Sequence, residues 1–148
     1  MGTLTDLEEL TMSNVEPGAG IALDTIPVHF AASGRATSID GFTFEPSGFE
    51  AYIAANTTAT DPGRLVFVER SAESWGMWEC HRAGDEMVII IAGVAIFLQE
   101  IDGSEVRTRV TAGQAVLNPA GTWHTADVEE PFTAIYLTPC PGTEHRPR

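Results

Sequence analysis

The chain has 148 residues, one domain's worth, and sets 8 basic residues against 21 acidic ones for a formal charge of −13. Every basic residue is an Arg, so a lysine Schiff base and a P-loop lysine are excluded, and a field this negative repels nucleic acid and anionic membrane. Hydrophobic residues at 43% and charged residues at 20% exclude a disordered chain, which leaves small-molecule work as the function class.

Residues 1–25 mix Thr, Asp, Glu, Gly and Pro with Leu4, Leu7 and Leu10 on one side of a short helix, and read as a loosely held N-terminal arm. Asp6, Glu8 and Glu9 interrupt the apolar residues there, so no signal peptide is expected. Cys80 and Cys140 are too few for a disulfide framework, and a reducing cytoplasm is the expected location. From Ile26 onward, short apolar or alternating runs are separated by Gly41, Pro46-Ser47-Gly48, Asp61-Pro62-Gly63, Gly84-Asp85, Asp102-Gly103 and Pro119-Ala120-Gly121. The runs predict strands at 27–31, 41–45, 49–54, 64–70, 74–81, 86–91, 93–99, 105–110, 114–118, 123–128 and 132–138. This is an all-β pattern, a sandwich or barrel over residues 26–140, with 141–148 as a tail along the surface.

Glu105, Arg107 and Arg109 alternate with Val106, Thr108 and Val110, so one face of that strand is solvated. Glu86-Met-Val-Ile-Ile-Ile91 is apolar on both faces, and a second layer or a partner subunit must cover the far side. A homodimer is expected on that basis. The apolar run through Leu98 is about half a membrane span and is broken by Gly93, so it does not cross a bilayer.

The residues that carry chemistry lie on either side of that run. In Trp75-Gly-Met-Trp-Glu-Cys-His81, strand alternation puts Trp75, Met77, Glu79 and His81 on one face and Cys80 on the other. Arg82-Ala-Gly-Asp85 then turns the chain so that Glu86 can pair beside His81. Three metal-competent side chains converge, and His124, entering a strand after Pro119-Ala-Gly121, offers a fourth.

Read as spacing, His81, four residues, Glu86, six residues and Gly93 form one motif. Gly113, Pro119, Gly121 and His124 form a second. In both, over about residues 40–140, the chain resembles the cupins, whose patterns are G-x5-H-x-H-x3,4-E-x6-G and G-x5-P-x-G-x2-H-x3-N. The resemblance implies a double-stranded β-helix, or jelly-roll barrel. Two positions depart from the pattern: Glu79 stands where the first motif histidine falls, and Val128 where the closing Asn falls.

By this resemblance the barrel holds a divalent metal, Fe, Mn or Zn, on Glu79, His81, Glu86 and His124. Glu79 is either the fourth ligand or a catalytic base beside a triad of His81, Glu86 and His124, the two-His, one-carboxylate set of non-haem iron oxygenases. A small-molecule enzyme of dioxygenase type is the leading expectation, with a metal-dependent isomerase or cyclase and a non-catalytic ligand-binding barrel as alternatives. Trp75, Met77 and Trp123 lie near the motifs and are expected to line the substrate pocket. His29 and His145 read as ion pairs or satisfied polar residues, Arg64 and Arg70 as solvated strand ends, and Cys80 as a small buried hydrophobe.

Overall fold

The computed structural model describes residues 14–148; the expected helix face of Leu4, Leu7 and Leu10 lies outside the described residues. Among the described residues, nine strands and one helix follow in chain order: β1 (Val28–Phe30), β2 (Ala36–Ser38), α1 (Pro46–Asn56), β3 (Arg64–Ser71), β4 (Met77–Cys80), β5 (Glu86–Ile101), β6 (Ser104–Thr111), β7 (Ala115–Asn118), β8 (His124–Thr138) and β9 (Glu144–Pro147).

The frame is the antiparallel ribbon of β5 and β8, each much longer than an ordinary strand, paired from Met87↔Leu137 to Gln99↔His124. Pairing on the outer sides of this ribbon changes along its length. The first half of β5 takes β7 and its second half takes β6, while the first half of β8 takes β4 and its second half takes β3. One layer therefore runs β2, β1, β3, β8, β5, β7, and the other runs β9, β4, β8, β5, β6, with the same ribbon bent through both. This is a double-stranded β-helix whose sheet does not close on itself.

The bend falls where the β5–β8 register shifts between Ile90 and Ala95. Gly93 sits there with φ of 78°, and a Cβ on it would lie 2.0 Å from the Pro131 carbonyl oxygen. At the far end of β5 the sequence Asp102-Gly103 has positive φ at both residues, 50° and 77°, the pair of values that lets a two-residue turn match the strand twist. Between the layers, strand alternation collects Leu65, Phe67, Val88, Ile90, Phe97, Phe132 and Ala134 into one core.

Several expectations are revised. Segments 41–45 and 49–54 were expected to be strands, whereas residues 46–56 form α1. Pro46 stands at the start of the helix, where its missing N–H costs nothing, and Phe49, Tyr52 and Ile53 recur at helical spacing and pack on the core. The segments 86–91 and 93–99 are one strand, as are 123–128 and 132–138, because the ribbon bends without breaking its pairing. Residues 141–148 do not simply trail over the surface: β9 pairs with β4, Glu79↔His145 included. The solvated face of β6 is as expected, with Arg107 and Arg109 exposed and paired to Asp127 and Glu129.

Candidate metal centre

Register assembles the site. Strand β4 lies between β8 and β9, and Glu79 is directly opposite both His124 and His145, so the three side chains are lateral neighbours on one face. His81 is two residues beyond Glu79 and shares that face. Glu86 begins β5 and points inward with Val88 and Ile90. Donor atoms of Glu79, His81 and His124 lie within 4.8 Å of one another. Glu86 stands behind the pair of imidazoles, with Oε2 3.1 Å from His81 Nε2 and Oε1 3.3 Å from His124 Nε2.

Hydrogen bonds fix which nitrogen of each imidazole carries the proton. His124 Nδ1 is 3.0 Å from the Thr122 carbonyl, which can only accept, so Nδ1 donates. Thr143 commits its hydroxyl proton to the Cys140 carbonyl at 2.8 Å, so its oxygen accepts from His81 Nδ1 at 2.9 Å. Both Nε2 atoms therefore face the carboxylates. Both are buried, and neither has a partner at hydrogen-bond geometry.

The acidic partner is held as firmly. Glu86 Oε2 accepts from Thr138 Oγ1 at 2.6 Å and Oε1 accepts from Asn118 Nδ2 at 3.0 Å. Asn118 in turn accepts from Gln99 Nε2 at 2.8 Å, and Gln99 also donates to the Leu117 carbonyl. Glu86 is therefore an oriented carboxylate. Burial alone would raise its pKa, but the His124 and His81 contacts outweigh burial and hold it well below the usual range. Burial opposes ionisation of Glu79 as well, and the nearby His124 imidazole, with the His145 contact at 3.2 Å, brings that carboxyl down to about 2. Burial works against a charged His124, yet Glu79 and Glu86 carry it up to about 9.

Two carboxylates and two neutral imidazoles carry two uncompensated negative charges in a buried space. One divalent cation at the Nε2 atoms settles that charge; so do protons, and the raised His124 shows where the first would go. The donor set fits a borderline divalent ion: nitrogen and oxygen ligands, each imidazole oriented through its other nitrogen. Replacing Asn118 with Leu is expected to leave Glu86 Oε1 and Gln99 without their partner. The expected cost is about 1–3 kcal/mol in denaturant unfolding. Metal affinity is expected to drop about 10–100-fold, read by competition with a chromophoric chelator.

The centre opens into a cavity of about 710 Å³. Of the expected pocket residues, Trp75 and Met77 line it. Trp123 does not, because alternation turns it away from the face that His124 shares, and its ring lies under the Arg146 guanidinium at 4.5 Å. Cys80 is fully buried, as expected. Cys140 reaches the cavity wall as a thiol, pushed up to about 12 mainly by burial. Arg64 donates to the backbone carbonyls of Asp85 and Gly63.

Sequence reasoning gave His145 no functional part, although the ion pair expected of it exists, 3.2 Å from Glu79, at the cavity wall. Its signal lay in the pairing of β9 with β4, which the Pro-rich sequence 139–148 does not advertise. His29 bonds Tyr52 through Nδ1 at 2.6 Å, but its buried Nε2 has no partner, so the reading as a satisfied core residue holds for one nitrogen only.

The fold and the register of both motifs define the class: a cupin-type double-stranded β-helix with a Glu/His/His cluster at its centre. No protein-family model matches the sequence, and no curated protein matches it. Among solved structures it is similar to a hydroquinone 1,2-dioxygenase from Sphingomonas sp. TTNP3 with 4-hydroxybenzoate bound. The two share 16% identity at a TM-score of 0.41, over 50% of this chain and 57% of that one. A cupin superfamily protein from Desulfitobacterium hafniense DCB-2 matches at 16% identity and a TM-score of 0.44, over 51% of this chain and 65% of that one. An uncharacterized conserved protein with a double-stranded β-helix domain from Klebsiella pneumoniae subsp. pneumoniae MGH 78578 matches at 20% identity and a TM-score of 0.46, covering 57% and 76%. The aligned part thus spans less than two thirds of the first two structures, and none of the three carries an activity over to this chain.

Proposed function

We propose that the protein is a metal-dependent enzyme acting on a small organic molecule, with dioxygenase-type chemistry. The observation that carries this reading is the pair of buried Nε2 atoms, fixed by their Nδ1 bonds and left without partners beside two carboxylates. His81 and His124 would hold the ion with Glu79, and Glu86, whose oxygens lie beside both Nε2 atoms, would complete the set. A bound Fe or Mn ion supplies redox and Lewis-acid chemistry at positions left open to substrate; Zn supplies the Lewis-acid part alone.

The protein's own residues divide the remaining work. Glu86, locked by Asn118 and Thr138, stays ionised and cannot swing. Glu79 is the more exposed carboxylate, faces the cavity and shares its second oxygen with His145, so where the ion is left to His81, Glu86 and His124 it is the carboxylate placed to take a proton from substrate. Trp75 and Met77 supply apolar wall beside it. An acid-base site without metal is the second reading, favoured by the His124 pKa of about 9.

Metal binding must displace the His124 proton wherever that proton is bound. Affinity is therefore expected to rise with pH up to about 9 and level off above it, with proton release seen as a buffer-dependent heat in calorimetry. A pH-independent affinity between 6 and 8 would contradict this assignment. The enzyme reading is tested by oxygen uptake over a panel of small molecules after loading with Fe(II) or with Zn(II). Uptake with iron alone supports dioxygenase-type chemistry. Turnover with either metal and no uptake supports an isomerase or cyclase instead.

No helix of the described residues is long and apolar enough to cross a membrane. The far face of β5 and β7 leaves Met87, Ile91 and Leu117 exposed, which supports a proposed homodimer through that face. Light scattering showing a monomer would remove it.

A further inference from the structure

The cavity contains a carboxylate that the metal centre does not use. On β3, alternation points Leu65, Phe67, Glu69 and Ser71 to the inner face, and Glu69 lines the cavity beside Phe67. Among the described residues its side chain makes no hydrogen bond or ion pair, and the charge that acts on its ionisation is another carboxylate, Glu79. The residue keeps an exposed edge, and partial burial of the carboxyl together with that neighbour raises its pKa.

Around it the wall is aromatic. Phe67 and Tyr136 stack at 4.9 Å across the β3–β8 pair, and Trp75 lies 6.3 Å from Tyr136. Tyr136 is almost wholly buried, and its hydroxyl has no partner at hydrogen-bond geometry. Glu69, Glu86 and Glu79 all act on that hydroxyl, and Ser71 is near enough to influence it without completing a bond. Glu50 adds a further acid at the wall, and no Arg lines the cavity, in a chain that has no Lys.

A ligand carboxylate or phosphate entering this space would meet Glu69 and Glu50, and the wall imidazole of His145 is already engaged by Glu79. A ligand ammonium would meet the opposite charge at Glu69, beside a wall to which Phe67, Trp75 and Tyr136 contribute. We propose that this cavity takes a small apolar or aromatic molecule bearing a cationic amine, with Glu69 and the aromatic wall of Phe67, Trp75 and Tyr136 as its amine-binding subsite. The proposal deepens the enzyme reading by naming the substrate class. It does not require the metal to be present, since Glu69 is outside the ligand set.

The test uses three probes of one shape and different charge: 2-phenylethylammonium, neutral 2-phenylethanol and 3-phenylpropanoate. Binding is followed by tryptophan fluorescence and by NMR line shifts, on metal-free and on metal-loaded protein. In both forms the amine is expected to bind about tenfold or more tighter than the alcohol, and the propanoate weaker than the alcohol in the metal-free form. Glu69→Gln is expected to remove most of the amine's advantage, leaving alcohol affinity and metal content as in wild type.

Equal affinities for amine and alcohol, or an amine preference that survives Glu69→Gln, would overturn the proposal. If Glu69→Gln folds poorly, Glu69→Ala serves as the second variant, and an amine preference that survives there also overturns it. An amine preference in a protein that takes up no metal would sink the enzyme reading and keep this subsite. Stoichiometric metal with no amine preference would do the reverse.

Discussion

Replacing Gly93 with Ala is expected to destabilise the fold by about 2–5 kcal/mol, from two costs that add. An L-residue at φ of 78° costs roughly 1–2 kcal/mol in the left-handed region. The added Cβ would sit 2.0 Å from the Pro131 carbonyl oxygen and 2.6 Å from Phe132 Cα, both backbone atoms that cannot rotate away. Relief must come from the β5–β8 ribbon itself, at the bend where it passes from one layer to the other, and a forced shift of that kind costs about 1–3 kcal/mol more. Phe132, fully buried next to this contact, would move with it. Chemical denaturation of the metal-free variant checks this. A loss under 1 kcal/mol would mean that the ribbon bends without help from the glycine.

For His124→Ala the expected loss is functional more than structural. The wild type should gain thermal stability when Fe(II), Mn(II) or Zn(II) is added, by about 2.7 kcal/mol at a free metal concentration one hundred times Kd. The variant should gain none. Its Nε2 is one of the two buried, partnerless nitrogens of the centre, and its absence leaves Glu79 and Glu86 without the imidazole between them. Metal affinity should fall by more than the about 10–100-fold that an outer partner such as Asn118 controls. A variant that still shows the wild-type stabilisation by metal would remove His124 from the ligand set.

Stability of the metal-free protein should follow the same groups. His124, raised to about 9 in the fold from an ordinary 6.5, contributes stability that is complete below 6.5 and is lost as pH climbs through about 9. Glu79, lowered to about 2 from 4.5, contributes stability that is complete above 4.5 and is lost as pH falls through about 2. The two windows overlap between 4.5 and 6.5, where the metal-free chain should be hardest to unfold.

Much of the site was legible because strand alternation is a short-range rule. Glu79 and His81 had to share a face, Cys80 had to face away, and the Pro119-Gly121 turn had to deliver His124 to the start of a strand. The same rule, applied to Trp123, would have turned it out of the cavity; proximity in sequence to His124 was the weaker argument. What stayed hidden depends on pairing between distant segments. His145 reaches Glu79 only because β9 adds to β4, and Asn118 matters only because β7 lies beside the start of β5. The helix α1 was obscured by Pro46-Ser-Gly48, which reads as a turn when the Pro is not seen as a helix start. The two long strands read as four because Gly93 and Pro131 look like breaks and act instead as the facing corners of one bent ribbon.

The central claim is that the buried imidazole and carboxylate cluster is a metal centre, and elemental mass spectrometry tests it most directly. Protein purified without added metal, and again after reconstitution, is compared with His81→Ala and Glu79→Ala. The account predicts one divalent ion per chain in the wild type and far less in both variants. A wild type that holds no metal even after reconstitution, or variants that hold as much as the wild type, would contradict it.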